Sequence, residues 1–311
     1  MLGIIGASGK IGGATLSALL SNGLIPASQI VALTSAKDSS DKRWQSLESK
    51  GVQVRHGTFD DAESITAALN SCDRLFLVSS PRIALDYNDA PPGTGREKDH
   101  KVAIDAAIKA GVKHIYYTSL AFGNPSKSGV MAAHVRTEAY LKGLMGIKYT
   151  IIREGLYQES WPLYLGHFDP KNDDRTEIVV AGDCPISWTA IADLGLASAL
   201  VLAAPGDEYT TKTFYLSDTR DPKSLKDIAE IVSKVKGKKY TVKIVSREEH
   251  EKFYIQERKM DEGHIKWWAK TYDALNDQEC HIKDTTFEKL LASKGKEAKR
   301  MENTIREMLS S

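Results

Sequence analysis

The start of the chain places an apolar segment directly before three regularly spaced glycines. Residues 2–5 are Leu-Gly-Ile-Ile, and Gly6, Gly9 and Gly12 follow, with leucines at helical spacing behind them. A strand, a glycine turn and a helix in this order are typical of a dinucleotide site, because the helix N-terminus offers unpaired N–H groups to a pyrophosphate. Gly6 would take the tight turn, Gly9 would let the backbone approach the phosphates, and Gly12 would let the helix pack closely on the strand. Glycine turns also occur as plain connections, so the rest of the chain has to support this interpretation.

The first half of the chain repeats this alternation of strand and helix. Apolar, strand-like segments lie at residues 2–5, 30–34, 52–55, 74–79, 113–117 and 148–152, and most are separated by stretches with helical periodicity. This alternation predicts an α/β fold of the Rossmann type, with a doubly wound parallel sheet. We expect residues 1–155 to form the NAD(P)-binding domain.

The pattern changes after residue 155. A stretch rich in Trp and Tyr at 157–168 is followed by a polar loop at 169–176 and by more irregular elements. We expect residues 156–311 to form mainly a smaller α/β lobe that covers the substrate. The segment at about 187–217 would return to the Rossmann domain, because it contains a helix suited to pack on a sheet and a short strand.

Composition and charge exclude several classes of function. The 311 residues carry 42 Lys and Arg against 41 Asp and Glu, so a net charge of +1 gives no field that would attract nucleic acid or an anionic membrane. Cys72, Cys184 and Cys280 have neither metal-ligand spacing nor the pattern of a disulfide framework. No apolar run approaches the roughly 20 residues that span a bilayer, and the first strand leaves no room for a signal peptide. We expect a cytoplasmic protein without a metal site.

The end of the second predicted strand bears on the choice of cofactor. NAD-specific sites usually have Asp or Glu there, to hold the ribose hydroxyls. This chain has Thr34 and Ser35, with Lys37, Lys42 and Arg43 close by. Hydroxyl and cationic groups can accept a 2′-phosphate that an acid would repel, so the sequence favours NADP(H) over NAD(H).

Several further segments carry a resemblance to a known family. They are residues 6–12, 57–61, 110–119, 134–141, 149–157 and 187–193. On these segments the chain resembles, nearly end to end, the NmrA-like family of atypical short-chain dehydrogenases/reductases, and especially its quinone-reductase branch.

The resemblance implies a role for individual residues around the cofactor. The pyrophosphate would be held by Gly6, Ser8, Gly9, Lys10, Ile11 and Gly12; the adenosine ribose would face Thr34, Ser35 and Lys37; and the adenine would be bordered by Phe59 and Asp60. Val78, Ser79 and Ser80 would line the ribose side, and the cofactor set continues with Thr118, Ser119, Arg153 and Gly155, the segment 153–157 lying near the nicotinamide. The chain carries Thr34 where many NADP-binding members have Arg, which weakens the preference for NADP(H).

The larger superfamily uses a Tyr-x-x-x-Lys pair to protonate its substrates, and this pair is missing. The matching stretch is His134-Val-Arg-Thr-Glu138, although Ser119 is retained. His134 could act as a general acid near pH 7, or it could be a structural residue paired with Glu138 one helical turn later. We take His134, Ser119 and Tyr157 as the candidate catalytic residues.

The missing pair also bears on the reaction. Reducing a ketone leaves a strongly basic alkoxide, whereas reducing a quinone leaves a stabilised phenolate that water can protonate. An aromatic slot for such a substrate could be formed by Tyr157, Trp161, Tyr164 and Tyr87, although aromatic residues at this spacing also serve packing. The loop at 81–97 is long enough to be a lid or a surface insertion.

Two functions follow. The first is an NAD(P)H-dependent reductase that transfers a hydride to quinones or related carbonyl compounds. The alternative, also implied by the family, is a non-catalytic NADP(H)-binding redox sensor that controls a regulatory protein partner such as a transcription factor. A homodimer is left open in both.

Overall fold

The computed structural model describes residues 1–36 and 41–310. Within these residues the strands are β1 (Leu2–Ile5), β2 (Ile30–Thr34), β3 (Gln53–His56), β4 (Arg74–Leu77), β5 (His114–Leu120), β6 (Lys148–Glu154), β7 (Leu156–Tyr157), β8 (Glu177–Val180), β9 (Trp188–Thr189), β10 (Lys212–Leu216) and β11 (Thr241–Ile244).

The helices follow the same alternation in the first half and dominate the second. They are α1 (Lys10–Ser21), α2 (Lys42–Glu48), α3 (Ala62–Ala68), α4 (Glu97–Lys109), α5 (Met131–Gly143), α6 (Trp161–Tyr164), α7 (Ile191–Ala203), α8 (Leu225–Lys236), α9 (Arg247–Lys252), α10 (Glu262–Asn276), α11 (Thr286–Ala292) and α12 (Met301–Ser310).

Seven strands form one sheet in the order β10-β6-β5-β4-β1-β2-β3. Every neighbouring pair in this sheet is parallel. β1 and β2 are buried along their whole length, which explains why their sequences are continuously apolar rather than alternating. The predicted Rossmann-type doubly wound sheet is confirmed, and its strand order reverses between β1 and β4, where such folds bind ligands.

Helices cover both faces of the sheet. One face packs against α1, α7 and α11 through residues such as Leu16, Leu194 and Phe287. The other face packs against α3, α4 and α5, where Ala103 and Ala107 of α4 lie flat on the strands. Because α7 and β10 belong to this domain, the segment 187–217 supplies both a covering helix and the seventh strand.

A second hydrophobic core lies beyond the carboxyl ends of the strands. It is rich in aromatic side chains and is built from α6, α8, α10 and α12 around the small parallel pair of β8 and β11. Its largest members include Trp161, Tyr164, Trp188, Trp268 and Tyr272. Phe122 and Met131, which follow β5 and begin α5, also join this core, so the lobe sits against the sheet edge where a nucleotide would bind.

Three further features of the described residues concern the classes of function considered above. The three cysteines are buried and free. No group of three or more His, Cys, Asp or Glu in residues 1–36 and 41–310 is arranged to hold a metal ion. The same residues contain no helix with the length and apolar character needed to cross a membrane.

Candidate active site

The glycine turn has the geometry that a bound phosphate requires. Gly6 has a φ of +87°, and a Cβ at Gly12 would lie 2.1 Å from the carbonyl oxygen of Gly6, so both positions need glycine. Gly9 precedes α1, and no side chain caps this helix or places a negative charge in its first turn. The N–H groups of this first turn are therefore directed at the space outside the sheet, as in an anion site.

A cavity of ≈ 430 Å³ extends from this turn to the aromatic lobe. Its lining combines the glycine turn with the ends of β4 and β5, the start of the loop after β4, and residues of α5, α6 and α10. The predicted site residues that line it are Gly6, Ser8, Gly9, Lys10, Ile11, Val78, Ser79, Ser80, Thr118, Ser119, His134 and Tyr157.

The residues predicted to face the adenosine lie outside that cavity, on the same edge of the sheet. Thr34 is buried at the end of β2, and its hydroxyl accepts a hydrogen bond from the backbone N–H of Ala36, while Ser35 is exposed. Asp60, beside the half-buried Phe59, accepts two hydrogen bonds from the guanidinium of Arg82, at 2.7 and 2.5 Å. Lys37 lies outside the described residues.

Arg43 brings a cation into contact with the phosphate loop at this end. It is exposed at the start of α2, and its Nη1 donates a hydrogen bond to the carbonyl oxygen of Ser8 at 3.4 Å. Asp41 pairs with the other side of the same guanidinium, at 3.0 Å. The contact joins α2 to the glycine turn and holds a positive charge beside it.

Under the cavity floor, a buried histidine fixes the segment after β4. The backbone N–H of Ser80 donates to Nε2 of His100 at 2.9 Å. Because a backbone amide can only donate, Nε2 carries no proton and the proton of this ring is on Nδ1, which lies 2.8 Å from the hydroxyl of Thr137. Burial and the charge of Arg96 lower the pKa of His100 to about 3, so the ring is neutral.

His134 belongs to the same buried network. Its Nδ1 lies 3.0 Å from the hydroxyl of Tyr117, and that hydroxyl lies 3.3 Å from Nδ1 of His100. A proton donated by Tyr117 to Nδ1 of His134 would leave the proton of the His134 ring on Nε2. His134 also lines the cavity.

The sequence left open two roles for His134, and the structure changes both. Burial, with the charge of Arg96 and the neighbouring His100, lowers the pKa of His134 well below its usual value. The lowered pKa favours the neutral imidazole at pH 7. The pairing with Glu138 was wrong, because that carboxylate binds Arg153 instead, with Nη2 to Oε2 at 2.8 Å.

Glu138 and Arg153 form a buried ion pair behind the cavity. Nε of Arg153 donates to Oε1 of Glu138 at 3.0 Å, and Nη1 donates to the hydroxyl of Tyr215 at 2.6 Å. The hydroxyl of Ser119 also donates to Oε1, at 2.7 Å. Arg153, predicted beside the nicotinamide, is turned away from the cavity, and Gly155 instead packs against Thr189 and Ser217.

Glu154, which lies between Arg153 and Gly155 in the sequence, lines the cavity. It ends β6 and is only 2% exposed, and its Oε2 accepts a hydrogen bond from the hydroxyl of Tyr157 at 2.9 Å. Burial raises the pKa of Glu154 to about 8, although the hydrogen bond from Tyr157 opposes this rise. This shift favours the acid form of Glu154 at neutral pH.

The aromatic end of the cavity differs in part from the predicted slot. Tyr157 and Tyr164 line it, but Trp161 is buried in the lobe core against Phe168, and Tyr87 does not reach the cavity lining. The remaining aromatic walls are His264, Trp267 and Trp268 of α10. The Tyr164 and Trp268 rings meet edge to face with centroids 4.9 Å apart, which gives this end a rigid apolar surface.

The loop at 81–97 is attached to the protein on both sides of the cavity. Arg96 forms a buried ion pair with Asp86, at 2.6 Å, and also donates to the carbonyl oxygens of Ser80 and Val130. The hydroxyl of Tyr87 hydrogen-bonds to Nδ1 of His264 at 2.7 Å. This loop therefore links the segment after β4 to α10.

Comparison with known proteins identifies the family to which this arrangement belongs. The profile of the NmrA-like family matches residues 1–308. The chain belongs to the NmrA-like family. Quinone oxidoreductase 2 of Escherichia coli is 32% identical over 246 residues, which cover 79% of this chain and 78% of that protein. The NmrA-like family domain-containing oxidoreductase flvB of Aspergillus flavus is 28% identical over 249 residues, covering 79% of this chain and 75% of that protein.

Solved structures are similar over the whole length of this NmrA-like protein. The Citrobacter sp. triphenylmethane reductase complexed with NADP(H) has a TM-score of 0.78 at 27% identity, covering 99% of both chains. The NADPH-dependent quinone oxidoreductase QOR2 of Escherichia coli, complexed with NADPH, has a TM-score of 0.79 at 27% identity, also covering 99% of both chains. The predicted family and the predicted class of enzyme, an NAD(P)H-dependent oxidoreductase, are confirmed.

Several residues of this NmrA-like site were not anticipated from the sequence. His100 and Tyr117 were not singled out, and Trp267 and Trp268 come from a stretch assigned to irregular elements. Glu154 lies within the segment 153–157 that was expected near the nicotinamide, but it was not named as a site residue. The adjacent tryptophans at 267 and 268 are a local signal that could have drawn attention to α10. Glu154 had one as well, since it is an acidic residue at the end of a strand whose last five residues are buried.

Proposed function

We propose that the protein is an NADPH-dependent reductase that transfers a hydride to quinones or related carbonyl compounds. The observation that carries the proposal is the single cavity that has the phosphate-binding turn at one end and an aromatic, apolar surface at the other. A flat, conjugated acceptor suits such a surface, because aromatic walls bury its faces without requiring many polar groups.

The chain's own residues fit a nicotinamide dinucleotide. The uncapped first turn of α1, with Gly9 and Lys10, would hold the pyrophosphate, and the segment Val78 to Ser80 would lie along the ribose. When bound, the reduced nicotinamide supplies the hydride. Arg43 beside Ser8 favours NADP(H), since its guanidinium can donate charge-assisted hydrogen bonds to a 2′-phosphate. The solved neighbours crystallised with NADP(H) and NADPH are in keeping with this preference.

His134 would orient the acceptor. Its ring is neutral, and when Tyr117 donates to Nδ1 the Nε2–H group can hydrogen-bond to a carbonyl oxygen and stabilise negative charge that develops there. Ser119 would not serve as a proton source, because its hydroxyl proton is committed to Glu138. Ser119 would instead serve as part of the cavity wall between β5 and α5.

The aromatic end of the cavity favours the reductase over the redox sensor. A protein that only senses NADP(H) needs the nucleotide half of the cavity and no second half. Here Tyr157, Tyr164, Trp267 and Trp268 line space beyond the nucleotide half, and Glu154 is an acid within the same cavity.

The proposal is tested by the oxidation of NADPH by the purified protein in the presence of a para-quinone. Turnover that depends on both compounds and exceeds the uncatalysed rate supports it. Tight binding of NADPH without reduction of any quinone, aldehyde or ketone would overturn it in favour of the sensor.

A further inference from the structure

Glu154 lies in the same cavity as His134. The role proposed for His134 leaves Glu154 without a function. Its Oε2 accepts the hydrogen bond from Tyr157, at 2.9 Å. Its Oε1 is buried and has no hydrogen-bond partner among the described residues. A carboxylate with one oxygen unpaired in a buried site is unfavourable, so the proton belongs on Oε1. That O–H group has no acceptor in the described protein.

Among residues 1–36 and 41–310, no cation offsets the burial of Glu154. Arg153, its neighbour in sequence, points to the other face of the sheet and is fully engaged with Glu138 and Tyr215. The backbone on either side is also occupied, since the carbonyl oxygen of Glu154 accepts from Ala121. The titratable side chains that share the cavity lining with Glu154 are Lys10 of α1, Arg96 before α4, His134 of α5, Tyr157 of β7, Tyr164 of α6 and His264 of α10. In the described residues, Tyr157 alone among these hydrogen-bonds to Glu154.

We propose that Glu154 is the proton donor that completes the reduction of the acceptor bound in this cavity. This inference rests on the proposed reductase function and adds to it a residue with a defined chemical role. Among the described residues, Oε1 is the side-chain oxygen of Glu154 without a hydrogen-bond partner, and the Glu154 side chain lines the cavity that the acceptor would enter.

In this step the proton transfer from Glu154 follows the transfer of the hydride. A hydride added to the acceptor brings two electrons and one hydrogen nucleus, and the acceptor oxygen becomes an anion. The O–H bond of Glu154 then breaks as an O–H bond forms on that oxygen, which leaves the reduced acceptor and the Glu154 carboxylate. The hydrogen bond from Tyr157 stabilises this carboxylate until it takes a proton from water. The sum is acceptor, NADPH and one proton going to reduced acceptor and NADP⁺.

His134 and Glu154 then have separate tasks. A neutral imidazole that gave up its Nε2 proton would become a buried imidazolate anion, which is far less stable than the carboxylate that Glu154 becomes. His134 therefore holds the acceptor oxygen, and Glu154 supplies the proton. The pKa of Glu154, raised by burial to about 8, leaves the acid form populated at pH 7.

The test compares the pH dependence of kcat for NADPH and a para-quinone in the wild-type protein and in Glu154→Gln. Wild-type kcat should fall above about pH 8, as Glu154 loses its proton. The Gln variant keeps the shape and a hydrogen-bonding group but has no acidic proton. It should show kcat lowered at pH 7 by less than the roughly 100-fold effect of a typical general acid, because water can also protonate the phenolate, with no fall near pH 8 and an unchanged Kd for NADPH.

Two further variants separate the chemical role from a structural one. Tyr157→Phe removes the hydrogen bond that favours the carboxylate, so the fall in kcat should move to higher pH. Glu177→Gln, an exposed carboxylate of β8, is the matched control and should leave the profile unchanged. Infrared difference spectra of the wild-type protein between pH 6 and pH 9 give a measurement independent of turnover, because a buried protonated carboxyl band should disappear over this range.

The outcomes are distinguishable. If wild type reduces quinones and Glu154→Gln keeps both the wild-type kcat and its fall near pH 8, the inference is overturned while the reductase function stands. Absence of the protonated carboxyl band at pH 6 would also overturn it. If the wild-type protein reduces no acceptor, the proposed function fails and the inference falls with it.

Discussion

The hydroxyl of Tyr117 lies 3.0 Å from Nδ1 of His134, and both side chains are buried between β5 and α5. We expect Tyr117 to donate its proton to Nδ1 of His134, which puts the proton of the imidazole on Nε2. In that tautomer the buried ring is a hydrogen-bond donor for a molecule in the cavity.

Replacing either Tyr117 or His134 should slow turnover without weakening the binding of NADPH. We expect His134→Ala to lower kcat with quinone about 100-fold and Tyr117→Phe to lower it about tenfold, the equivalent of one hydrogen bond. The Kd for NADPH should stay the same in both. Tyr116→Phe, which removes a hydroxyl one residue earlier on β5, is the control.

The tautomer can be measured directly. In ¹⁵N-labelled protein, His134 should give the signals of the neutral Nε2–H form from pH 5.5 to pH 8, and Tyr117→Phe should abolish this preference. A His134 resonance that titrates near pH 6.5 would mean that the ring is an imidazolium donor after all.

Gly9 and Gly12 should respond differently to a side chain. A Cβ at Gly9 would approach within 4 Å only the carbonyl oxygen of Gly6, at 3.2 Å, so Gly9→Leu should fold and project into the phosphate site. We expect its Kd for NADPH to rise more than 100-fold with Tm nearly unchanged. Gly12→Ala should instead lower Tm, because its Cβ would lie 2.1 Å from that same oxygen. Isothermal titration calorimetry measures the change in Kd, and thermal unfolding measures the change in Tm. An unchanged affinity of Gly9→Leu for NADPH would show that the glycine turn is not the phosphate-binding site.

Arg43 should determine the choice between NADPH and NADH. Replacing it by Ala removes the cation that lies beside Ser8, and we expect the Kd for NADPH to rise about tenfold or more, as for loss of a charge-assisted hydrogen bond. The Kd for NADH should change little. Lys50→Ala, an exposed cation just beyond the other end of α2, is the control. An equal loss for both nucleotides would show that Arg43 supports the turn rather than the 2′-phosphate.

The buried pair of Glu138 and Arg153 should matter more for stability than for chemistry. Burial alone would raise the pKa of Glu138, but the hydrogen bonds from Arg153 and Ser119 and the charge of Arg153 outweigh it and hold this pKa below its usual value. A lowered pKa in the folded state stabilises the fold above the unfolded-state value of about 4.5 and loses this effect as the pH falls.

Glu138→Gln should therefore lower the free energy of unfolding at pH 7 by about 3–5 kcal/mol, because it leaves the Arg153 charge buried without its partner. The difference from wild type should shrink as the pH is lowered from 5 to 3. Replacing both residues by Met should cost less than the single change. Urea unfolding at several pH values checks this, and a cost for Glu138→Gln that does not depend on pH would contradict the assignment.

Much of the nucleotide half of the site could be predicted from the sequence, because its parts are local. The turn at Gly6 to Gly12 and the residues after β4 follow their own strands directly, and a parallel sheet brings the carboxyl ends of its strands to one edge. The helix α4 (Glu97–Lys109) is also local in origin, since its alanines repeat with the helical period.

The substrate half depends on contacts that no local pattern encodes. Trp267 and Trp268 reach the cavity from α10, about a hundred residues beyond Tyr157 along the chain, and the orientation of α10 comes from the lobe core. Whether an aromatic residue lines a cavity or packs in a core depends on a few ångströms, which is why Tyr164 was placed correctly and Trp161 was not. In the same way, the partner of Glu138 is Arg153 on β6 rather than His134 on its own helix.

The most direct test is steady-state oxidation of NADPH, with NADH in parallel, by the purified protein offered a series of ortho- and para-quinones. We predict turnover that requires the quinone, with a higher kcat/KM for NADPH than for NADH and a fall in kcat above about pH 8. Binding of NADPH with no turnover of any quinone would contradict the assignment of this cavity as the active site of a reductase.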